Sequence, residues 1–529
     1  MAATAQPVEM KKSLTLTGIT VNAMALIAPG AFLWTTFQVQ AALTQPHSTV
    51  STASAMWPGL LFALVLALLT AYSYSELARI YPDAGTGSSY YFAEAALMDK
   101  DGAHHRKWAR VAKLSVGWIS HLYYWIYPGI MVAFTGTLFG YIYTSLTNGK
   151  TLNNWELSAV CVVFALVAGY IAFRGISGST MTAIVINVIQ ITTLVLLTIL
   201  FIVFRVGHPH AGYEASNAAA VIIPKNFMNV LYQSTIAILL LVGFESVTTL
   251  GAEAINPQKD IRRGILLSLI IQGGVCYLFE YFGANFVVGN TTAVFANPAG
   301  GAPLRGYAAS GADPAPIGTM SSRVSNILWS GSGKTISLII AATVLIALIG
   351  TTLACLNTGV RVTYAMARDG EMPSILSLLH GKHATPHSGI WVLTGISAVI
   401  GIYGVRTVDN LTQITIASNV GTFLVYGFTC LIAVVAFASR HDKHVGKHYV
   451  IPIVGALMNV AMLFAVIYLG MVGSAAVKHD YLKALGADVV WIVIGIVWVM
   501  LNPKMRGSRL IDASVPKRDV ADAAPAAVT

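Results

Sequence analysis

The sequence has few charged residues. Asp, Glu, Lys and Arg make up 10% of its 529 residues, whereas a soluble globular protein carries about a quarter. Apolar residues make up 56% and are collected in runs of about 20 residues, the length that crosses a bilayer. The composition therefore excludes a soluble globular protein and indicates an all-α protein that crosses a membrane many times.

Cysteine is also scarce, and its spacing excludes a disulfide framework. The four cysteines fall inside apolar runs without paired spacing, so we expect free buried thiols and no metal site. The chain has no nucleotide-binding motif and no Ser/His/Asp or metal-ligand set, so we expect neither an enzyme nor a cofactor. No short apolar core with a cleavage site follows the polar start, so the first helix itself should insert.

The apolar runs predict twelve membrane helices. They lie at about 14–43, 55–80, 113–145, 155–173, 180–204, 226–255, 262–289, 334–363, 388–404, 410–439, 449–473 and 484–503. Most of the 32 Lys and Arg residues fall in connections on the side of the N-terminus. The positive-inside rule therefore predicts a multi-pass protein of the plasma (inner) membrane with both termini cytoplasmic. The net charge of +10 follows this topology and does not indicate a nucleic-acid partner.

The sixth run is interrupted by a glycine and a carboxylate. Gly243 and Glu245 stand in the middle of an otherwise apolar stretch. A charge at that depth costs several kcal/mol unless it faces a cavity or a partner. Unwound backbone is tolerated there only where it lines a cavity or is buried in protein. We interpret the stretch as a broken helix at a substrate site; a kinked helix with a paired acid is the alternative.

The first run has a similar interruption at Ala28-Pro29-Gly30. The segments APGAFLWTT around Gly30 and LVGFESVTT around Gly243 share the glycine and the trailing Thr-Thr. Two interrupted helices at corresponding places in two halves point to the binding site of a transporter built from inverted repeats. A proline kink that binds no ligand is the alternative for the first break.

Three segments resemble signatures of one transporter family. They are GFES...AEAINPQKDIRRGI within 243–265, YPDAGTGSSY at 81–90 and RVTYAMARDGEMP at 361–373. Over about 14–503 the chain resembles the amino acid–polyamine–organocation (APC) transporters. The resemblance implies two five-helix repeats, 14–204 and 226–439, followed by two extra helices at 449–503. Residues 1–13 would be a cytoplasmic N-terminus and 504–529 a disordered cytoplasmic tail.

The resemblance also implies where a substrate binds. Many members have a Gly-Ser/Thr-Gly tripeptide where this chain has Ala28-Pro29-Gly30. The N–H groups that open the second half-helix would bind a carboxylate, and carbonyls freed by the breaks would bind an ammonium. The predicted substrate-binding residues are Ile27, Ala28, Gly30, Ala31, Phe32, Tyr124, Gly243, Phe244, Glu245 and Ser246.

Individual roles at this site stay open from the sequence. Phe244 follows the break glycine and could cover the substrate. Glu245 could bind a cationic group, relay a proton, or hold the two half-helices together. Tyr124 could line the cavity, and an interfacial aromatic belt is the alternative.

Four residues are candidates for ion coupling: Gln190, Glu245, Glu280 and His121. Gln190 falls where some proton-coupled members carry a lysine, and glutamine has no titratable charge. Glu280 could pair with His121 or a backbone donor, or work in proton transfer. H⁺ and Na⁺ both stay open as coupling ions, and exchange or facilitated movement is the first expectation.

The resemblance predicts a secondary active or exchange transporter of amino acids that works by alternating access. One alternative is a transporter of polyamines or other organic amines, which need no carboxylate. An alternative of another class is a receptor that keeps the fold and binds an amino acid without moving it.

Overall fold

A computed structural model of the chain describes most of its residues. The described ranges are 14–45, 52–82, 87–98, 103–175, 180–207, 226–251, 253–283, 294–295, 304–305, 310–311, 313, 315–380 and 385–502. The predictions for segments 1–13 and 504–529 lie outside them.

The chain is almost entirely helical in these ranges. The helices up to the middle of the chain are α1 (Leu16–Ile27), α2 (Pro29–Ala42), α3 (Met56–Ile80), α4 (Ser89–Met98), α5 (Ala103–Tyr124), α6 (Tyr127–Leu146), α7 (Asn154–Phe173) and α8 (Thr180–Gly207). The later ones are α9 (Phe227–Ala237), α10 (Pro257–Phe282), α11 (Pro316–Leu328), α12 (Gly333–Arg368), α13 (His387–Gly404), α14 (Val408–Ala438), α15 (Ile451–Val472) and α16 (Ala475–Leu501). Two short strands, β1 (Val294–Phe295) and β2 (Leu304–Arg305), pair antiparallel.

The prediction of an all-α polytopic membrane protein is confirmed. Among the described residues, 11 helical segments are long and apolar enough to cross a membrane. The interrupted first helix, α1 followed by α2, supplies the remaining span. The arrangement as two repeats, and the division of the chain at their boundaries, stay predictions.

The sixth span is the centre of the bundle and the last span lies at its edge. In the most apolar part of Phe227–Leu250, 83% of the residues are buried, against 17% in Ala475–Leu501. Large apolar side chains such as Val489, Leu501 and Phe464 are exposed on the outer helices. A membrane explains both facts, because lipid is as apolar as these side chains and only the central helices must be covered by protein.

The third helix was predicted as one segment, 113–145, but the structure begins it earlier and divides it into α5 and α6. Its first part, α5, begins at Ala103, about ten residues before the apolar run, because an amphipathic segment continues the helix beyond that run. The chain then bends at Trp125 and Ile126, just before Pro128 at the start of α6. Proline lacks a backbone N–H and clashes with the preceding turn, which accounts for the bend.

The N-terminal segment closes one end of the bundle. Leu14 pairs with the chain after the sixth span: its N–H donates to the Glu253 carbonyl, and the Ile255 N–H donates to the Leu14 carbonyl, both over 3.0 Å. A backbone bridge of this kind holds the start of α1 against the end of the sixth span.

Candidate functional site

The first break is a single residue wide. α1 ends at Ile27 and α2 begins at Pro29, and Ala28 between them takes a left-handed conformation with φ 35° and ψ 66°. That region is sparsely populated by residues other than glycine and costs of order 1–3 kcal/mol, so the surrounding packing must enforce it. Ala28 is completely buried.

The second break is longer and rests on the first. α9 ends at Ala237, and two 3₁₀ segments, Ile238–Leu240 and Phe244–Leu250, flank Gly243 with φ 119°. A Cβ on Gly243 would lie 2.5 Å from Cδ2 of Leu26 in the last turn of α1. Only glycine lets the two interrupted helices approach this closely.

Glu245 lies fully buried immediately after this break. Its Oε2 accepts hydrogen bonds from the Gly243 N–H at 3.1 Å and from the Tyr426 hydroxyl at 2.7 Å. Its Oε1 accepts no hydrogen bond from any residue that the structure describes. A buried carboxylate oxygen without a donor is costly, so this atom is the natural place for a ligand's N–H groups.

Aromatic rings surround the carboxylate. Phe244 lies 5.2 Å from Tyr426 and 5.9 Å from Tyr74 between ring centroids, and Tyr74 and Tyr426 are 5.9 Å apart. Tyr124 also faces Glu245, and among the described residues its buried hydroxyl has no hydrogen-bond partner. A carboxylate framed by aromatic rings attracts a cationic nitrogen through both charge and the ring quadrupoles.

Sequence reasoning missed two members of this group. Tyr426 lies in α14 and Tyr74 in α3, and both read as ordinary apolar positions within their runs. The one available signal was a polar-tipped aromatic in a membrane span, which occurs at many other positions of this chain. We call Tyr74, Tyr124, Phe244, Glu245 and Tyr426 the central site.

The start of α2 is already hydrogen-bonded. The Gly30 N–H, predicted to bind a carboxylate, donates to Oε1 of Gln190 over 3.1 Å, and the Ala31 N–H donates to the Ala28 carbonyl over 3.0 Å. Phe32 lies in the same helix, and its side chain is outside the described part of the structure. A substrate carboxylate would therefore have to displace the Gln190 side chain.

A small cavity lies beside Gly30 and Gln190. It measures about 20 Å³ and is lined mostly by apolar side chains, together with Trp34. Nε2 of Gln190 and Nε1 of Trp34 have no hydrogen-bond partner in the ranges that the structure describes. A space of this size holds about one water molecule, which would satisfy such donors.

Side chains from three other helices bind the carbonyls of α1 before the break. Asn187 of α8 donates to the Val21 carbonyl over 3.1 Å. The Thr351 hydroxyl of α12 lies 3.3 Å from the Ala25 carbonyl and 2.9 Å from the Ala347 carbonyl of its own helix. Gln272 of α10 donates to the Met24 carbonyl and to Oδ1 of Asn187, both over 2.9 Å. These uncharged groups hold α1 in place.

The coupling candidates lie in separate places. The suggested pairing of Glu280 with His121 is wrong. Nδ1 of His121 lies 2.7 Å from the Gly117 carbonyl and its Nε2 lies 3.1 Å from the Thr363 hydroxyl, because the ring points from α5 toward α12. Glu280 in α10 is fully buried and faces the side chain of Gln40, and no described residue donates a hydrogen bond to it.

The other predicted residues fall around the breaks. Ile27 and Ala31 are fully buried, and Ser246 is 8% exposed. The Ser246 N–H donates to the Gly243 carbonyl, so it closes the turn of the second break. The structure thus brings Tyr124, Phe244 and Glu245 together, and it places Gly30 at the start of α2 against Gln190 of α8.

The family of the chain can be stated from comparison with known proteins. A family model described as amino acid permease matches residues 43–510. The chain belongs to the amino acid permease family of the APC superfamily. The three signature segments in the sequence had indicated this family, and the match confirms it.

Individual relatives have low sequence identity to this chain, but the alignments cover most of both chains. A branched-chain amino acid permease, BcaP, of Bacillus subtilis is 25% identical over 83% of this chain and 84% of its own length. A low-affinity putrescine importer, PlaP, of Escherichia coli is 24% identical over 93% of this chain and 94% of its own length. A methylthioribose transporter of Bacillus subtilis is 24% identical over 73% of this chain and 75% of its own length. The chain is thus an integral multi-pass membrane transporter and not an enzyme.

Proposed function

We propose that this permease moves amino acids across the plasma membrane by alternating access, with the substrate's ammonium group at Glu245. The observation that carries the proposal is the Oε1 atom of Glu245, which is buried, has no donor among the described residues, and lies among aromatic rings. The positive-inside distribution supports cytoplasmic termini, so the end of the bundle at Leu14 would face the cytoplasm.

The amino acid's carboxylate would bind at the start of α2. The positive end of that half-helix favours an anion. Binding there requires Gln190 to leave the Gly30 N–H, which is a modest cost because the exchange replaces one neutral hydrogen bond by a charge-assisted one.

A second function is favoured by that same hydrogen bond. Because the Gly30 and Ala31 donors are both occupied, a substrate without a carboxylate would leave the first break unchanged and use Glu245 alone. Polyamines and other organic amines meet this description, and a putrescine importer is among the relatives.

Matched ligand pairs separate the two functions. Lysine and cadaverine differ only in the carboxylate, as do ornithine and putrescine, and leucine and isopentylamine. Purified protein would be heated with each compound. A ligand at about 100 times its dissociation constant adds about 2.7 kcal/mol of stability. Stabilisation by the amino acid of a pair and not by its amine supports amino acid transport, and the reverse supports amine transport.

Counterflow in liposomes then tests transport itself. Labelled external ligand should accumulate in vesicles loaded with the unlabelled compound. Stabilisation by a ligand that shows no counterflow would instead indicate a receptor with the same fold.

A further inference from the structure

A group of buried charges lies outside the central site, near the predicted cytoplasmic face. Lys113 of α5 is completely buried, and its Nζ lies 2.8 Å from Glu94 of α4 and 2.6 Å from Asp369 after α12. The Lys113 ammonium also lies over the ring of Tyr90, 4.9 Å from its centroid. With Glu371 these residues form a cluster that we call the α4 clamp: Tyr90, Glu94, Lys113, Asp369 and Glu371.

The clamp has more acids than bases. Three carboxylates, those of Glu94, Asp369 and Glu371, face the single ammonium of Lys113. The ammonium makes its close contacts with Glu94 and Asp369, so Glu371 is left without a cation of its own. An ionised buried carboxylate in that position is expensive unless it takes up a proton.

The hydrogen-bond chemistry at Glu371 favours that proton. The side chain is 1% exposed, and neither carboxylate oxygen has a donor within the described part of the chain. The Tyr90 hydroxyl lies beside it, but donates its one proton to Asp369 over 3.0 Å. A neutral Glu371 can donate to the Tyr90 oxygen, whereas an ionised one faces that oxygen's lone pairs.

Burial and its acidic neighbours agree with this geometry. Burial, with Asp369 and Glu94 adding to it, raises the pKa of Glu371 from 4.5 to about 7, although Lys113 and Tyr90 act in the opposite direction. Trp498 of α16 packs from the other side and donates to the Glu371 backbone carbonyl over 3.1 Å. The groups that face this carboxyl are therefore one cation, two acids and one phenol.

The clamp contains two residues of α4, the helix whose start contacts the central site. At the start of α4 the Ser89 hydroxyl contacts the Tyr74 hydroxyl, and it lies 2.9 Å from the Thr429 hydroxyl. Ser88 lies beside Tyr124. Because Tyr74 and Tyr124 belong to the central site, the start of α4 covers that site from the side of the clamp.

We propose that Glu371 is a cytoplasmic pH switch: its protonated form holds α4 closed beneath the substrate site, and its ionised form releases α4. One proton passes between cytoplasmic water and the carboxyl in each change, and no substrate or second ion takes part. The proposal rests on the proposed transport function only in that the cytoplasmic side must open.

A cysteine reporter at Ser88 tests the switch without any substrate. S88C would be labelled with a membrane-impermeant maleimide in inside-out vesicles at pH 6 and pH 8, and the unsubstituted protein gives the background. The thiol itself reacts faster at high pH, so the rate is divided by that of S88C/E371Q, which keeps the shape of the side chain and cannot ionise. The ionised fraction of a group with a pKa of about 7 rises roughly tenfold over this range. The ratio should therefore rise by up to roughly tenfold.

Asp442 offers the matched control. It is an exposed acid on the same side, and its pKa is lowered by the guanidinium groups of Arg440 and Arg79, although burial opposes them. It stays ionised from pH 6 to 8, so S88C/D442N should show the same pH step as S88C. An equal pH dependence in S88C and S88C/E371Q would overturn the proposal, as would a step that D442N removes and E371Q keeps.

Thermal stability gives an independent readout. Since the folded-state pKa of Glu371 is raised, its protonated carboxyl contributes to the free energy of unfolding. This contribution is fully present below about pH 4.5 and is lost as pH rises through about 7. The melting temperature should fall between pH 6 and 8 more steeply in the wild type than in E371Q. Should E371Q fail to fold, Glu371→Asp keeps a titratable carboxyl and must keep the labelling step; its absence there would count against the switch.

Discussion

At the scale of single residues, Gly243 and Glu245 carry most of the proposed site. Gly243 lets the two interrupted helices pack closely, because it has no side chain and adopts a positive φ. Glu245 presents an oxygen without a donor among aromatic rings. Both positions make specific demands that a substitution tests.

Gly243→Ala should destabilise the protein. A left-handed conformation costs a non-glycine residue about 1–2 kcal/mol, and the new Cβ would also lie 2.5 Å from Leu26. The variant should melt at a lower temperature and lose ligand-induced stabilisation. Gly274→Ala is the control, because it lies in α10 with nothing within 4 Å of the added Cβ. Its expected effect is neutral or stabilising, by about 0.5–1 kcal/mol. Equal losses in both variants would mean that the contact between the breaks is unimportant.

Glu245→Gln should abolish ligand-induced stabilisation by compounds with an ammonium group. The substitution keeps the shape of the side chain, removes its charge, and places an amide where the Gly243 N–H and Tyr426 hydroxyl now donate. The measurement is the melting temperature with and without the best ligand of the matched pairs. Glu253→Gln is the control, since Glu253 lies after the sixth span with its side chain 29% exposed. A full ligand response in Glu245→Gln would remove this carboxylate from the binding site.

At the scale of the elements, α1 is held by uncharged side chains. Its carbonyls accept hydrogen bonds from Asn187 of α8 and Gln272 of α10, and the Thr351 hydroxyl of α12 lies 3.3 Å from the Ala25 carbonyl. Hydrogen bonds between neutral groups can be exchanged at low cost, which suits a half-helix that would move in the proposed alternating-access cycle.

Gln272→Leu should loosen α1. It removes one of the two donors of the Met24 carbonyl, which keeps the Ala28 N–H, and it takes the donor from Oδ1 of Asn187. A buried acceptor that loses its donor costs about 1–3 kcal/mol. The expected result is a lower melting temperature and faster hydrogen exchange in Leu16–Ile27. Gln258→Leu, on an exposed position in the first turn of the same helix, should change stability by less than about 0.5 kcal/mol. Protection of α1 that is unchanged in Gln272→Leu would show that α8 and α12 suffice to hold it.

At the scale of the whole molecule, the polar groups around the breaks predict how transport is driven. The residue beside Gly30 is Gln190, which cannot take up a proton. His121 lies away from the central site, with both ring nitrogens next to Gly117 and Thr363. We therefore expect exchange or facilitated movement.

Counterflow under imposed gradients measures this. Uptake should depend on internal substrate and should not become concentrative when a proton or sodium gradient is added. The unsubstituted protein in vesicles without a gradient is the reference. Concentrative uptake driven by a proton gradient, surviving replacement of Glu245, Glu280 and His121 together, would contradict the expectation.

Much of the architecture could be predicted from the sequence. The apolar runs gave the spans, because a helix that faces lipid must be apolar along its length. The breaks at Ala28 and Gly243 were predictable too, because proline and glycine act on the backbone where they stand. The predicted start of the third helix at 113 is wrong, because α5 begins at Ala103 with an amphipathic segment that lies before the apolar run.

The composition of the central site could not be predicted in the same way. Glu245 was a candidate because a charge in an apolar run is visible in the chain itself. Its partner Tyr426 is 181 residues away, and nothing local distinguishes it from other tyrosines. The same holds for Gln190, whose contact with Gly30 spans 160 residues.

The sequence by itself determined the membrane class, the family and the position of both breaks, since hydropathy and backbone freedom are properties of neighbouring residues. The tertiary structure alone decided which side chains meet: Tyr426 with Glu245, Gln190 with Gly30, His121 with Thr363 instead of Glu280, and Lys113 with Asp369. These contacts depend on how the helices pack and rotate against one another, and that packing minimises the free energy of the whole bundle rather than of any one segment.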